Sequence, residues 1–103
     1  MAALNVVPFV SVDNMMRLVH AVGIEAMLVR LAAAIAEDFS RWDVFQKTPR
    51  VAAHSAEGVI ELMPTSDGTT YGFKYVNGHP KNAAGGRQTV TAFGVLADVG
   101  SGY

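Results

Sequence analysis

Hydrophobic and polar residues alternate with two different periods along the 103-residue chain, and the period changes near Pro49. Before this proline, apolar residues recur every three or four positions, which is the spacing of an amphipathic helix. After it, they recur at every second position over short segments, which is the spacing of a β-strand. The sequence therefore predicts an α+β fold with two helices first and a mostly antiparallel sheet second.

The first half predicts two consecutive helices. Ser11 is placed to cap the first helix, Asp13 lies in its first turn, and Gly23 can end it in the left-handed conformation. The second helix follows at once and runs to Trp42 along one apolar stripe. The stripe consists of Ile24, Met27, Leu28, Leu31, Ile35, Phe39 and Trp42. Ahead of both helices, Val6–Val10 are β-branched and aromatic around a proline, which predicts a short edge strand.

Three or four strands are predicted in the second half, from four candidate segments separated by turn residues. They are Arg50–Ser55, Val59–Met63, Thr70–Val76 and Gln88–Val99. The turns Ala56–Gly58 and Ser66–Gly68 are compatible with hairpins, and residues 78–86 are predicted to form a loop. The last strand runs into a predicted turn at residues 100–102. Because an apolar strand with an open edge invites pairing, we expect the chain to belong to something longer or to an obligate assembly.

Composition narrows the class of protein. Hydrophobic residues make up 50% of the chain and charged residues 17%, which predicts one small globular domain with a packed core. A net charge of −1 gives no basic surface for nucleic acid, and without cysteine there is no disulfide or thiolate metal site. The first residues lack the positive start of a signal peptide, and the apolar run Ala26–Ala36 is short and interrupted by Arg30. We expect a soluble cytoplasmic protein without a membrane partner.

Three charged residues interrupt strands that are otherwise apolar. Lys74 shares one side of its strand with Gly72 and Val76, while Glu61 shares a side with Met63, and Arg50 opens the preceding strand. One interpretation is a solvated sheet face with exposed ion pairs worth about 0–1 kcal/mol.

The other interpretation of these charges is a binding site for a zwitterionic small molecule. Arg50 and Lys74 would hold a carboxylate, Glu61 would accept from an ammonium group, and Met63 would form an adaptable apolar wall. The pattern alone leaves both interpretations open.

Other candidate chemistry is weak. His20, His54 and His79 are too scattered for a local metal motif, so no metal site is predicted. The chain contains neither a Gly-x-Gly-x-x-Gly fingerprint nor a P-loop. It also lacks the Gly-x-Ser-x-Gly turn of a hydrolase nucleophile.

Longer stretches of the sequence resemble a known family. They are Glu-Asp-Phe-Ser-Arg-Trp at 37–42, Pro-Arg-Val-Ala-Ala-His-Ser at 49–55, Gly-Val-Ile-Glu-Leu-Met-Pro at 58–64, Tyr-Gly-Phe-Lys-Tyr-Val-Asn-Gly-His-Pro at 71–80 and Gln-Thr-Val-Thr-Ala-Phe-Gly-Val-Leu-Ala-Asp-Val at 88–99. In order and spacing these stretches resemble the ornithine cyclodeaminase and mu-crystallin family, and the resemblance covers nearly the whole chain.

The resemblance implies an NAD-dependent lyase that converts L-ornithine to L-proline with release of ammonia. In the family a first domain binds the amino acid and forms the dimer, and a following Rossmann domain binds NAD. Residues 1–103 look like a truncated first domain without the Rossmann domain. By position, Arg50 and Lys74 match residues that hold the ornithine carboxylate, Glu61 and Met63 match residues that line the ornithine site, and Thr89 matches a contact to the cofactor.

The chain also departs from the family pattern. The acidic residue that transfers protons in the family follows the Rossmann fingerprint, and the resemblance places it beyond Tyr103. We therefore expect no catalytic residue in residues 1–103 and no activity from this chain alone.

Two alternatives stay open. The chain could be a non-catalytic dimerisation or interaction fragment. It could also belong to a sibling enzyme, a lysine cyclodeaminase or a ketimine reductase, because the carboxylate-binding residues recognise any amino acid.

Overall fold

The computed structural model describes residues 6–103, which form two compact units divided between Trp42 and Asp43. The first unit is helical, and the second is built on an antiparallel β-sheet. This order confirms the predicted α+β fold.

The helical unit consists of α1 (Val12–Val22) and α2 (Ile24–Ser40). As predicted, Ser11 caps α1: its Oγ accepts from the Asn14 backbone N–H at 3.1 Å, and the Asn14 Oδ1 accepts from the Ser11 N–H at 3.0 Å. Gly23 joins the two helices with φ 90° and ψ 138°. The positive φ was predicted, but this ψ lies outside the left-handed helical region. Because side chains disfavour this conformation, glycine suits the junction.

Two predictions about this unit are wrong. Val6–Val10 forms no strand, and its apolar side chains are exposed; no strand among residues 6–103 pairs with it, and its proline cannot donate to a ladder. The helix predicted to reach Trp42 ends at Ser40, whose Oγ donates to the Glu37 carbonyl at 2.6 Å. A 3₁₀ turn, Trp42–Val44, follows, and the Trp42 ring stacks on Phe39 with centroids 5.4 Å apart.

Within residues 6–103, no single helix is both long and apolar enough to cross a membrane. The pair α1 and α2 meets that test of length and composition only when taken together, and the pair bends by 101° at Gly23.

The sheet contains five antiparallel strands. They are β1 (Gln46–Lys47), β2 (Val51–His54), β3 (Val59–Ser66), β4 (Thr70–Gly78) and β5 (Val90–Asp98). β3 and β4 lie in the middle, β5 forms one edge, and β1 and β2 both pair with the other side of β3. All four candidate strands are present, β3 and β4 begin at the predicted residues, the other boundaries are shifted, and the short β1 was not predicted.

A break separates β1 from β2 along the same side of β3. From Lys47 to Val51 the chain advances four residues, whereas their partners on β3, Thr65 and Leu62, are three residues apart. One extra residue on one side of a strand pair is what defines a β-bulge. Pro64 lies opposite this break, where a missing N–H does least harm, so β3 continues to Ser66 although it was predicted to end before the proline.

The turns follow the predictions more closely than the loop does. In the β3–β4 hairpin the Asp67 carboxylate accepts from the backbone N–H groups of Thr69 and Thr70, and Gly68 takes φ 89°. The segment predicted as a loop is partly ordered as a 3₁₀ helix, Pro80–Gly85, with proline at its first position. Local hydrogen bonds rather than sheet pairing therefore hold this connection.

The strand register divides the sheet into two faces. The charged face carries Glu61, Met63, Lys74 and Gly94, and the aromatic face carries Tyr71, Phe73, Tyr75 and Phe93. On the aromatic face the Phe93 ring lies 5.0 Å from Tyr75 and 6.2 Å from Phe73, measured between centroids.

Apolar burial is incomplete throughout residues 6–103, where no hydrophobic side chain is fully buried. The packed core predicted from the composition is therefore not found among them. A core requires two layers that enclose side chains between them, and one sheet cannot supply both.

Candidate functional site

Arg50 and Glu61 form the best-defined contact between charged residues on the sheet. Arg50 lies just before β2, Glu61 lies within β3, and the Arg50 Nη1 donates to the Glu61 Oε2 at 2.9 Å. The two side chains differ in exposure, 59% for Arg50 and 20% for Glu61. Because the arginine is largely in water, the pair adds at most about 1 kcal/mol to stability. Its effect is to orient the guanidinium, whose remaining donors stay available.

Lys74 and Met63 stand directly opposite each other on β4 and β3. Directly opposite residues share a face with their Cβ atoms about 5 Å apart, and Glu61 is the diagonal neighbour of Lys74 on that face. The Lys74 Nζ has no hydrogen-bond or ion-pair partner among the described residues. The structure therefore brings Arg50, Glu61, Met63 and Lys74 together on the charged face, as either interpretation of these charges requires.

Two glycines lie beside Lys74, and only Gly94 was missed in the sequence analysis. Gly94 stands opposite Lys74 on β5, and Gly72 precedes it by two residues on the same face. A Cβ at Gly94 would lie 2.9 Å from the Phe73 carbonyl oxygen, and one at Gly72 would lie 3.1 Å from a Leu96 methyl group. At both positions a side chain would press on an atom of a neighbouring strand. The interruption of the apolar run by Gly94 was the available sequence signal.

Thr89 is not part of this cluster. It lies just before β5, five residues from Gly94, which is roughly 16 Å along an extended strand. Its carbonyl oxygen accepts from the His79 backbone N–H at 2.8 Å, and its hydroxyl has no partner within residues 6–103. Its predicted role toward a cofactor stays a prediction, as do the substrate-binding roles of the other four residues.

The remaining charges do not add to the cluster. Lys81 pairs with Glu57 at 3.2 Å near the other end of β3. At the end of β5, hydrogen bonds from the Ser101 side chain and backbone lower the pKa of Asp98 below its ordinary 3.8. Within the described part of the chain, no three His, Asp or Glu side chains gather where they could hold a metal ion.

Tyr103 also lies away from the cluster, in the turn that follows β5. Its carbonyl oxygen accepts from the Asp98 backbone N–H at 2.6 Å, and its side chain is 67% exposed. These contacts hold the turn against the end of β5 and give the tyrosine no part in the charged face. That the proton-transferring acid of the family lies beyond Tyr103, and that residues 1–103 hold no catalytic residue, both stay predictions.

The cluster has the chemistry of an amino acid site. Arg50 and Lys74 supply two positive groups for a carboxylate, and Glu61 supplies one negative group for an ammonium. Met63, opposite Lys74 on β3, adds an apolar thioether to the same face. Because adjacent strands hold all but Arg50, the spacing of these groups is fixed by the ladder hydrogen bonds.

The sequence model of the ornithine cyclodeaminase/mu-crystallin family matches residues 12–103, which is most of the chain. The chain belongs to this family. The match includes α1, α2 and all five strands, so the charged face lies wholly inside it.

Curated members of the family are very similar in sequence. Over 100 residues the chain is 75% identical to an ornithine cyclodeaminase of Brucella abortus biovar 1 (strain 9-941), covering 97% of this chain and 28% of the relative. Over all 103 residues it is 70% identical to an ornithine cyclodeaminase of Agrobacterium fabrum (strain C58 / ATCC 33970), covering 29% of that protein. The chain thus spans less than a third of the length of these relatives.

A solved structure shares the fold. An archaeal alanine dehydrogenase dimer with bound NAD superposes with a TM-score of 0.56 at 30% sequence identity. The superposition covers 62% of this chain and 20% of the dehydrogenase chain. The family fold thus recurs in an enzyme of a different name.

Proposed function

We propose that this chain supplies the ornithine-binding part of an ornithine cyclodeaminase, an NAD-dependent cytoplasmic lyase that converts L-ornithine to L-proline and ammonia. The observation that carries the proposal is the cluster on the charged face, where a carboxylate, a thioether and an unpaired lysine share adjacent strands and an arginine just before β2 pairs with the carboxylate. The names of the relatives and their high identity support the choice of ornithine over other amino acids.

Each residue of the cluster has a task in binding. Arg50 keeps its Nη1 on Glu61 and offers its remaining donors to the substrate carboxylate, while Lys74 contacts the same carboxylate from β4. Glu61 accepts from an ammonium group of the substrate. Met63 packs against the aliphatic part of ornithine. Fixing the carboxylate on strands rather than on a loop holds the α-carbon in one place, which favours reaction there.

The residues of this chain fit a limited contact with NAD. The Thr89 hydroxyl has no partner within residues 6–103 and can bond a cofactor, but the sequence contains no phosphate-binding glycine motif. Most of the cofactor would therefore be held by residues outside this chain. When bound, NAD supplies the hydride acceptor for the oxidation of the α-carbon.

A chimera tests the proposal. Residues 1–103 replace the matching segment of the Agrobacterium fabrum relative, and proline formation from ornithine and NAD is measured against the unmodified relative. We expect activity within about tenfold, because 70% identity includes most contacts across the segment. A folded chimera that binds NAD but neither binds ornithine nor forms proline would contradict the proposal.

The same chimera separates ornithine from its alternatives. The carboxylate-binding residues recognise any amino acid, so chain length must be sensed elsewhere in the pocket. We expect kcat/KM to be highest with ornithine, lower with lysine, and lowest for NADH-dependent reduction of a cyclic imine. A preference for lysine or for the imine would reassign the chain to a sibling enzyme.

The isolated chain should bind without catalysing. Half of a site can hold a carboxylate but cannot return the hydride, so mixing residues 1–103 with ornithine and NAD should yield no proline above background. Isothermal titration of the same sample should still detect weak ornithine binding, and Lys74→Ala should abolish it.

We further propose that the aromatic face contributes to a homodimer in the complete enzyme. Phe93 is 58% exposed and Val95 40% exposed on this face, and exposed apolar patches of this kind commonly mark interfaces. The solved relative is a dimer. Sedimentation of the chimera should give a dimer, and Phe93→Glu should convert it to a monomer; an unchanged dimer would place the interface elsewhere.

A further inference from the structure

One corner of the sheet is packed more tightly than its surface position requires. It lies where β3 begins and β4 ends, and it consists of Gly58, Asn77, His79 and Thr89. A Cβ at Gly58 would lie 2.1 Å from the Gly78 carbonyl oxygen and 2.9 Å from the Cγ and Cδ2 atoms of the His79 ring. Gly58 is not among the glycines with positive φ, so its backbone conformation does not require glycine. The close contact with its neighbours does.

The His79 ring is also held from its other side. Its Nδ1 bonds the Asn77 Oδ1, and the Asn77 Nδ2 donates to the Thr91 Oγ1 at 2.9 Å. Asn77 and Thr91 stand directly opposite each other on β4 and β5. The Asn77 side chain therefore links the His79 ring to Thr91 on the neighbouring strand.

The backbone of His79 in turn holds Thr89. The His79 N–H donates to the Thr89 carbonyl at 2.8 Å across the ends of the connection between β4 and β5. Asn82 closes this connection: its carbonyl accepts from the Arg87 N–H at 3.0 Å, and its Nδ2 donates to the Gln88 carbonyl at 3.2 Å. The Thr89 hydroxyl itself has no hydrogen-bond partner in the described chain.

We propose that Gly58 and His79 are positioning residues that fix Thr89 for contact with the nicotinamide cofactor. The inference rests on the proposed function, in which Thr89 touches NAD. A side chain at Gly58 would displace the His79 ring and the Gly78 carbonyl, and the displacement would pass through the His79 N–H to Thr89. Lys74 lies on β4 five residues before His79, so ornithine binding should change little.

A double-mutant cycle in the chimera tests the inference through NAD affinity, measured by isothermal titration without turnover. Gly58→Ala and Thr89→Ala should each weaken NAD binding about 3- to 10-fold, the usual range for one lost hydrogen bond. If Gly58 acts through Thr89, the double variant should bind NAD no more weakly than the weaker single variant. The KM for ornithine should stay within about twofold in all three variants.

Matched variants guard against a general packing defect. Gly85→Ala places the same methyl group in the adjoining connection, where it makes only an ordinary contact 3.6 Å from Arg87, and it should leave NAD affinity unchanged. His79→Ala removes the ring without adding a clash. If Gly58→Ala fails to fold, the same double-mutant cycle is run with His79→Ala and Thr89→Ala. The expected loss of NAD affinity in His79→Ala is smaller, about 2- to 4-fold.

The outcomes separate this inference from the proposed function. Losses that multiply in the double variant, or a rise in the ornithine KM equal to the loss in NAD affinity, would show a structural role only and overturn the inference. Full NAD affinity in Gly58→Ala and His79→Ala would also overturn it. A parent chimera that binds NAD but neither binds ornithine nor forms proline would contradict the proposed function instead. Normal turnover with unchanged NAD affinity in Thr89→Ala would remove the cofactor contact and overturn this inference, while the proposed ornithine site would stand.

Discussion

The two faces of the sheet are built from the same strands but carry different kinds of side chain. On the aromatic face, rings from β4 and β5 contact one another, with centroids 5.0 and 6.2 Å apart. On the charged face, the positions directly across from Lys74 hold the flexible Met63 and the side-chain-free Gly94. One face gains stability from contact between large side chains, while the other gives up such contacts around a lysine.

This difference indicates that ligand binding and folding stability depend on different faces of the sheet. A lysine beside two glycines adds little packing, so a purely structural sheet has no need of it. The aromatic rings, by contrast, need no ligand to make their contacts. Substitutions on the charged face should therefore alter ligand binding, and substitutions on the aromatic face should alter the free energy of unfolding. The following predictions test that separation, from the largest expected effect to the smallest.

Lys74→Ala in the chimera should raise the KM for ornithine about 10- to 100-fold, because a charge-assisted hydrogen bond to the carboxylate is lost. Lys81→Ala is the matched control, since Lys81 pairs with the exposed Glu57 away from the cluster. It should leave the KM within about twofold. Equal effects of the two variants would mean that Lys74 acts only through the general charge of the sheet.

Gly94→Ala should lower the free energy of unfolding of the 103-residue chain by about 1–2 kcal/mol in a urea titration. Its methyl group would lie 2.9 Å from the Phe73 carbonyl oxygen, so the two strands must move apart. Gly78→Ala is the control, because its methyl group meets only a Val59 methyl group at 3.9 Å. If the Gly94→Ala chain is as stable as the control, β4 and β5 accommodate the added methyl group without a measurable cost.

Phe93→Ala should lower the same free energy by about 1 kcal/mol through the loss of two ring contacts. Because Phe93 is already 58% exposed, the cost should stay below that of a buried phenylalanine. Ornithine affinity of the chain, followed by isothermal titration, should be unchanged. A loss of ornithine affinity here would break the separation between the faces.

The smallest effect concerns Asp98, at the end of the charged face on β5. Hydrogen bonds from Ser101 lower the pKa of Asp98 in the folded chain, so this group contributes stability above its ordinary pKa of 3.8 and loses that contribution as the pH falls through the lowered value. Ser101→Ala should move the pKa back toward 3.8, as followed by NMR of the carboxyl carbon. A pKa that stays low would assign the shift to other groups.

Local chemistry made much of the fold predictable. Ser11 has the side chain of a helix cap, Gly68 suits a hairpin turn, and the alternation around Lys74 separated charged from aromatic residues before any strand was paired. Each of these features depends on neighbours in sequence. The failed edge strand at Val6–Val10 shows the limit, because a strand requires a partner that its own residues do not specify.

The arrangement of the site could not be predicted without knowing how the strands pair. Alternation placed Glu61 and Lys74 on one side of their own strands, but the register of β3 with β4 decides that Met63 stands opposite Lys74. Likewise, Gly58 resembles an ordinary hairpin glycine in the sequence. Its contact with His79, 21 positions later, exists only because the start of β3 lies beside the end of β4.

The break between β1 and β2 predicts which changes in the coding sequence this segment tolerates. Because the extra residue between Lys47 and Val51 offsets the count on β3, the chain re-enters the sheet with its alternation inverted, and this inversion sends Arg50 toward Glu61. An in-frame loss of the Thr48 or Pro49 codon would leave composition, charge and both strands nearly intact. It would nevertheless remove the extra residue that lets β1 and β2 both pair with β3 around the break, so we expect Thr48 and Pro49 to tolerate substitution better than deletion.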